Sequence, residues 1–72
     1  MKTITVEFTK TGKTVEYSTN NEGKGLWLDG KQIAGHADFN ANSPSELMRK
    51  LKSGTDQTME KMTMVRGSAK GW

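Results

Sequence analysis

The stretch KTITVEFTKTGKTVEYST, residues 2–19, decides the fold of this chain. Apolar and polar side chains alternate along both of its halves, which is the pattern of a strand that buries one face. The apolar members of the pattern are Ile4, Val6, Phe8, Val15 and Tyr17. Because a loop with an even number of residues keeps all of them on one face, the stretch predicts a β-hairpin with a loop of two or four residues.

A two-residue turn at Thr11-Gly12 is the shorter of these loops, and it pairs Phe8 with Val15. This register has a cost, because the like-charged Glu7 and Glu16 then face each other on the polar side. A three-residue loop would instead place Phe8 opposite Glu16. That register is disfavoured, because a slip of one residue moves every side chain to the wrong face.

A second hairpin is predicted by GLWLDGKQIAGH, residues 25–36, since Asp29-Gly30 is a favoured pair for a type I′ turn. Pairing outward from that turn sets Leu26 opposite Ile33 and divides the side chains between two faces. The inward set is Leu26, Leu28, Ile33, Gly35, Ala37 and Phe39. The outward set is Trp27, Gln32, Ala34, His36 and Asp38. The indole of Trp27 is therefore expected to point away from the core.

The segment SPSELMRKLKSG, residues 43–54, predicts a helix at about 43–53. Ser43 is a favoured N-cap, Pro44 occupies the first helical position, and Glu46 completes a capping box. Gly54 is the expected terminating residue. The apolar stripe consists of Leu47, Met48 and Leu51. We therefore expect a small α+β domain over residues 1–66, in which the helix covers one face of an antiparallel sheet of about four strands.

Residues 56–66 fit two alternatives. Helical spacing would use Met59, Met62 and Val65, whereas the alternation in MTMV favours a fifth strand that buries Met62 and Met64. Composition favours the helix slightly, since Met, Glu, Lys and Gln are good helix formers. Serine, glycine and lysine before Trp72 predict that residues 67–72 form a flexible tail.

Length and composition exclude several classes of protein. A chain of 72 residues has room for one small core and no second lobe that could close over a substrate. It contains no cysteine, so no disulfide supports the core, which indicates a reducing compartment or indifference to redox state, and the former is preferred. The first ten residues lack the continuous apolar run of a secretory signal, and no stretch approaches the ~20 apolar residues of a membrane span. We expect a cytoplasmic protein.

Charge is uneven along the chain, whose net charge is +3. Residues 1–48 carry five basic and six acidic groups, while residues 49–72 carry six basic and two acidic ones. A basic end can attract phosphate, although basic side chains on a helix are more often only solvated. If this end binds nucleic acid, the residues involved are expected to be Arg49, Lys50, Lys52, Arg66 and Lys70.

No catalytic constellation is visible. His36 and Asp38 share the predicted outer face, but the hydroxyls nearby belong to ordinary strand threonines, so a nucleophile is missing. One histidine and no cysteine make a zinc site improbable. We predict no enzyme, no catalytic residue, no cofactor and no metal.

The outward tryptophan is the residue that points to a function. An exposed indole tends to mark a recognition hot spot, although Trp27 could also be covered by the C-terminal segment or by a second copy. The leading hypothesis is a non-enzymatic inhibitor or adaptor, of the kind that phages and mobile elements encode, which binds another protein and no membrane. The contact residues are predicted to be Trp27, Gln32, His36 and Asp38. A nucleic-acid-binding regulator is the alternative, and the sequence leaves monomer and homodimer open.

Overall fold

A computed structural model describes residues 1–53 and 63–72 of the chain. Their elements are β1 (Lys2–Phe8), β2 (Lys13–Thr19), β3 (Leu26–Leu28), β4 (Lys31–Ala34), α1 (Pro44–Lys52) and β5 (Met64–Lys70). The strands form one antiparallel sheet in the order β4-β3-β2-β1-β5. The helix packs on one face of this sheet, so the predicted α+β fold is confirmed. No helix in the described ranges has the length and apolar character needed to cross a bilayer.

The core lies between this sheet face and α1. Its buried residues are Ile4, Val6, Phe8, Val15, Tyr17, Leu26, Ala41, Leu47, Met48 and Met64. All five apolar residues of the first hairpin belong to it, while Glu7, Thr14 and Glu16 are exposed on the opposite face. Alternation along the chain therefore specifies which side of the first hairpin is buried.

The loop of the first hairpin has four residues, 9–12. Phe8 is paired with Lys13 and Val6 with Val15, so the predicted pairing of Phe8 with Val15 is wrong, although the even loop and the buried face are right. The carbonyl oxygen of Phe8 accepts from the N–H of Gly12 at 2.7 Å, and Gly12 has a φ of 73°. A two-residue type I′ turn would require positive φ of the preceding β-branched threonine as well, which is unfavourable. In the observed register Glu7 faces a threonine instead of Glu16.

The second hairpin turns at Asp29-Gly30 as predicted, with φ values of 50° and 86°. The carboxylate of Asp29 accepts from the N–H of Glu16 at 2.9 Å, and the N–H of Asp29 donates to the carbonyl oxygen of Glu16 at 2.8 Å. This aspartate therefore sets the turn and also joins it to β2.

A β-bulge corrects the predicted register of β4. Leu26 pairs with Ala34 instead of Ile33, and the register shifts between Leu26 and Trp27. One extra residue inverts the alternation, so Ile33 is 50% exposed where burial was expected, and Ala34 packs against the core where an outward position was expected. The strand ends at Ala34, and residues 36–38 form a turn in which Ala37 is exposed instead of inward.

The helix begins at the predicted N-cap, although the Glu46 carboxylate contacts Lys50 instead of completing the capping box. The hydroxyl oxygen of Ser43 accepts from the N–H of Glu46 at 3.1 Å, and Pro44 is the first helical residue. Leu47 and Met48 are buried. At the other end of the helix, the N–H of Ser53 donates to the carbonyl oxygen of Arg49. The predicted terminating residue, Gly54, lies outside the described residues.

Replacing Ser43 by alanine is expected to lower the free energy of unfolding by ~1 kcal/mol, because the first turn of α1 loses its side-chain acceptor. Urea denaturation followed by circular dichroism measures the change. Ser45→Ala is the matched control, since it removes a hydroxyl from the same turn, with only a long 3.4 Å hydrogen bond from Arg66, and leaves the cap intact. Equal losses in the two variants would show that the cap contributes nothing.

The C-terminal residues form the fifth strand, which pairs with β1 from Thr3↔Lys70 to Phe8↔Met64. The slight preference for a helix is therefore wrong for Met64 to Arg66, where the strand alternative is confirmed and the sheet has five strands. Met59 and Met62 lie outside the described residues. The predicted tail at 67–72 is corrected, because residues 67–70 belong to β5 and the indole N–H of Trp72 donates to the carbonyl oxygen of Thr3 at 3.0 Å. Main-chain pairing with β1 orders a segment whose own composition favours disorder.

Candidate functional site

Trp27 lies at the centre of β3, between two leucines that belong to or pack against the core. Successive side chains of a strand point to opposite faces, so its indole lies on the face that α1 does not cover. Its neighbours across the sheet are Ser18 on β2 and Gln32 on β4. The indole is half-buried, and Ser18 is only 5% exposed. Trp27 is therefore partly packed on this face instead of standing free in solvent.

The ring of His36 lies beside that of Trp27. The two ring centroids are 6.1 Å apart and the ring planes are inclined by 52°. Tilted aromatic pairs at this separation attract each other, because the positive edge of one ring approaches the negative face of the other. The histidine ring is exposed, so the pair presents one surface to solvent and one to the protein.

Gly25 is the residue that allows this pair to form, and sequence reasoning did not single it out. A Cβ atom there would lie 2.8 Å from Cζ3 of Trp27 and 3.0 Å from Cδ2 of His36, so both rings sit against its main chain. Its φ of 74° also favours glycine. A glycine two positions before the tryptophan was the available signal, but it carried no information about a contact with residue 36.

The connection before β3 fixes the position of the histidine turn. The N–H of Gly25 donates to the carbonyl oxygen of Phe39 at 2.8 Å, and the N–H of Ala41 donates to the carbonyl oxygen of Gly23 at 2.8 Å. A β-bridge between Lys24 and Asn40 lies between these bonds. The segments 20–25 and 39–41 therefore hold each other, and the turn at 36–38 is anchored beside Trp27.

Gln32 and Asp38 complete the predicted set. Gln32 is exposed opposite Trp27, and its side-chain amide donates to the carbonyl oxygen of Ala34 at 3.2 Å. Asp38 is exposed in the same turn as His36, where its N–H donates to the carbonyl oxygen of Gly35 at 3.1 Å. We call Trp27, Gln32, His36 and Asp38 together the Trp27 surface.

The Trp27 surface combines a partly buried aromatic side chain with exposed polar ones. That arrangement matches the anatomy of protein interfaces, in which aromatic anchors lie at the centre and polar groups surround them. Across residues 1–53 and 63–72, no group of three histidine, aspartate or glutamate side chains is placed to hold a metal ion.

The five basic residues predicted to bind nucleic acid lie on two elements, three on α1 and two on β5. Lys50 contacts the Glu46 carboxylate at 3.4 Å and donates to both oxygens of Asn40, so it joins α1 to the segment before it. Arg66 donates to the Ser45 hydroxyl at 3.4 Å and lines a cleft that Lys52 also lines. The remaining two are Arg49, exposed on α1, and Lys70, at the far end of β5.

Comparison with known protein families, with curated proteins and with solved structures finds nothing that matches this chain. No relative therefore indicates an activity or a partner.

Proposed function

We propose that this chain is a small non-enzymatic binding protein, of the inhibitor or adaptor type, that contacts another protein through the Trp27 surface. The observation that supports the proposal is the pairing of Trp27 with His36 over Gly25, flanked by exposed Gln32 and Asp38. Tryptophan is among the residues most enriched at interface hot spots.

Preorganisation favours this surface as a binding site. Ordering a side chain on binding costs about 0.5–1.5 kcal/mol, and that cost is smaller where the ring is already held. Trp27 is held by the contact with His36 and by its half-buried position beside Ser18. A partner that covers the exposed part of the indole would therefore lose little of the energy of burial to ordering the side chain.

The size of the chain favours occlusion or bridging as the mode of action. A domain of 72 residues acts most readily by covering a surface of its partner or by joining two partners. The absence of cysteine from the sequence makes a reducing compartment, such as the cytoplasm, our proposed location.

Pull-down from native lysate, with and without nuclease, tests the proposal against nucleic-acid binding. We expect a protein partner that survives nuclease treatment and that binds Trp27→Ala at least about tenfold more weakly, which corresponds to about 1.4 kcal/mol. Thr14→Ala is the matched control, since Thr14 is exposed on the same sheet face but lies at the hairpin end of β2. Its binding should equal that of the unmodified chain.

Two outcomes would contradict the proposal. One is a partner whose binding is unchanged by Trp27→Ala. The other is loss of the partner after nuclease, together with a binding constant that falls steeply as the salt concentration rises. For phosphate-driven binding, a plot of the logarithm of the binding constant against the logarithm of the salt concentration falls with a slope of about 0.9 per phosphate contact. The second outcome would favour the basic C-terminal third, and Arg49→Gln would then be the first variant to examine.

A further inference from the structure

β5 is an edge strand, at the opposite side of the sheet from β4. It pairs with β1 on one side, and no strand of the described residues pairs with its other side. Every residue of β5 after Met64 is exposed. An edge of this kind offers unpaired N–H and C=O groups to any extended segment that can lie beside it.

The main chain of β5 directs particular groups to this free edge. The N–H of Thr9 donates to the carbonyl oxygen of Thr63, so these two residues form a hydrogen-bonded pair. Hydrogen-bonded and non-bonded pairs alternate along an antiparallel ladder. Val65 therefore directs its main-chain groups towards β1, whereas Met64 and Arg66 direct theirs outward.

A cleft of about 350 Å³ adjoins this edge, between α1 and β5. Its lining combines apolar and polar residues, namely Ser45, Met48, Lys52, Met64, Val65 and Arg66. Met64 and Val65 are consecutive residues of β5, so their side chains lie on opposite faces of the sheet. A cleft that is lined by both therefore reaches around the edge of the sheet. A strand added to β5 could place one of its side chains in this cleft.

Charge indicates which strand would fit. β5 carries Arg66 and Lys70 and no carboxylate. Two copies paired through β5 would bring four cations together with no acidic residue on either strand, and like charges facing each other across strands are destabilising. The edge is therefore complementary to an acidic segment and not to a second copy of itself.

We propose that the free edge of β5 and the adjoining cleft form a second docking site, which takes an extended acidic segment of a partner protein by strand addition. One apolar side chain of that segment occupies the cleft, and its carboxylates face Arg66 and Lys70. This site lies at the opposite edge of the sheet from the Trp27 surface. A chain with both sites could bridge two partners, as an adaptor does.

Selection of a display library of short random peptides on the full chain tests this site. We expect the selected peptides to combine an apolar residue with Asp or Glu on both faces of the strand, because Arg66 pairs with buried Val6 and Lys70 with Thr3 on the other face. They should bind an Arg66→Glu, Lys70→Glu variant at least about tenfold more weakly. A Lys10→Glu, Lys13→Glu variant is the matched control, because it reverses the same number of exposed charges at the tip of the first hairpin. Its affinity for the peptides should be unchanged.

Backbone methylation of a selected peptide tests strand addition itself. In a strand added to β5, every second peptide N–H points to the protein. N-methylation of those residues should abolish binding, whereas N-methylation of the residues between them should leave it unchanged. Loss of binding with both sets of methylated residues, or with neither, would overturn strand addition. So would a selection without acidic peptides.

Two further measurements separate this site from its competitors. Trp27→Ala should leave peptide binding unchanged, and loss of binding in that variant would move the peptide to the Trp27 surface, overturning the β5 site while leaving the proposed function standing. Sedimentation of the chain alone should show a monomer. A dimer that an excess of the selected peptide dissociates would mean that a second copy occupies the edge, which would overturn the proposed occupant.

Discussion

Replacing Gly23 by alanine is expected to lower the free energy of unfolding by about 3 kcal/mol, a large part of the stability of a domain this small. The new Cβ would lie 2.2 Å from the carbonyl oxygen of Ala41, a main-chain atom that cannot turn aside. The N–H of Ala41 also donates to the carbonyl oxygen of Gly23. Relieving the clash therefore requires the segments 20–25 and 39–41 to separate, and we expect His36 to lose its position beside Trp27. Urea denaturation measures the effect.

Gly12→Ala is the matched control for this prediction. Gly12 has nearly the same backbone conformation, with a φ of 73° against 78° at Gly23, but nothing lies within 4 Å of its added Cβ. Its loss should be limited to the strain of a left-handed alanine, about 1–2 kcal/mol. The difference between the two variants measures the crowding at Gly23, and equal losses would show that the two segments are not held as described.

Leu47→Ala is expected to destabilise the fold by ~2–5 kcal/mol, since it leaves a cavity at the centre of the contact between α1 and the sheet. Leu47 is fully buried, as are Ile4 and Val6 on β1. A domain of this length has a total stability of roughly 4–11 kcal/mol, so the variant should be partly unfolded at physiological temperature. Thermal unfolding followed by circular dichroism measures the change.

Leu51→Ala provides the comparison within the same helix. Leu51 packs against the core but is only partly buried, so less apolar surface is lost and the surroundings can relax into the space. A smaller loss is expected. If Leu51→Ala proved the more destabilising of the two, the orientation of α1 on the sheet would have to be different.

Local chemistry made the helix and both hairpins predictable. Ser43 and Pro44 specify the start of α1, Asp29-Gly30 specifies a turn with positive φ, and the alternation in residues 2–19 specifies the buried face. Each of these signals acts through neighbouring residues or through a fixed period. The outward orientation of Trp27 was predictable from the same alternation, because Trp27 lies only two residues before the Asp29-Gly30 turn.

The bulge at Ile33 could not be predicted in the same way. A single extra residue leaves composition and local pattern almost unchanged, yet it inverts the face of everything that follows. Strict alternation placed Ala34 outward and Ile33 inward, and both positions are reversed. His36 nevertheless lies beside Trp27, but the reason is the anchored turn at 36–38 and the space left by Gly25, not membership of a strand.

The fifth strand was obscured by its position at the edge. Val65 to Lys70 are all exposed, so beyond Met64 this strand has no buried periodicity that could be recognised. Its order depends on the ladder with β1, a contact between the two ends of the chain, and on the hydrogen bond from Trp72 to Thr3. Propensities describe neither of these long-range interactions.

Photo-crosslinking from position 32 tests the central claim most directly. Gln32 is exposed and pairs with Trp27, so a benzophenone amino acid there would touch whatever covers the Trp27 surface. The same amino acid at exposed position 10, in the loop of the first hairpin, is the control. We expect one discrete protein adduct from position 32 in nuclease-treated lysate, absent from position 10 and lost in Trp27→Ala. Adducts to nucleic acid alone, or a protein adduct from position 32 that persists in Trp27→Ala, would contradict the account.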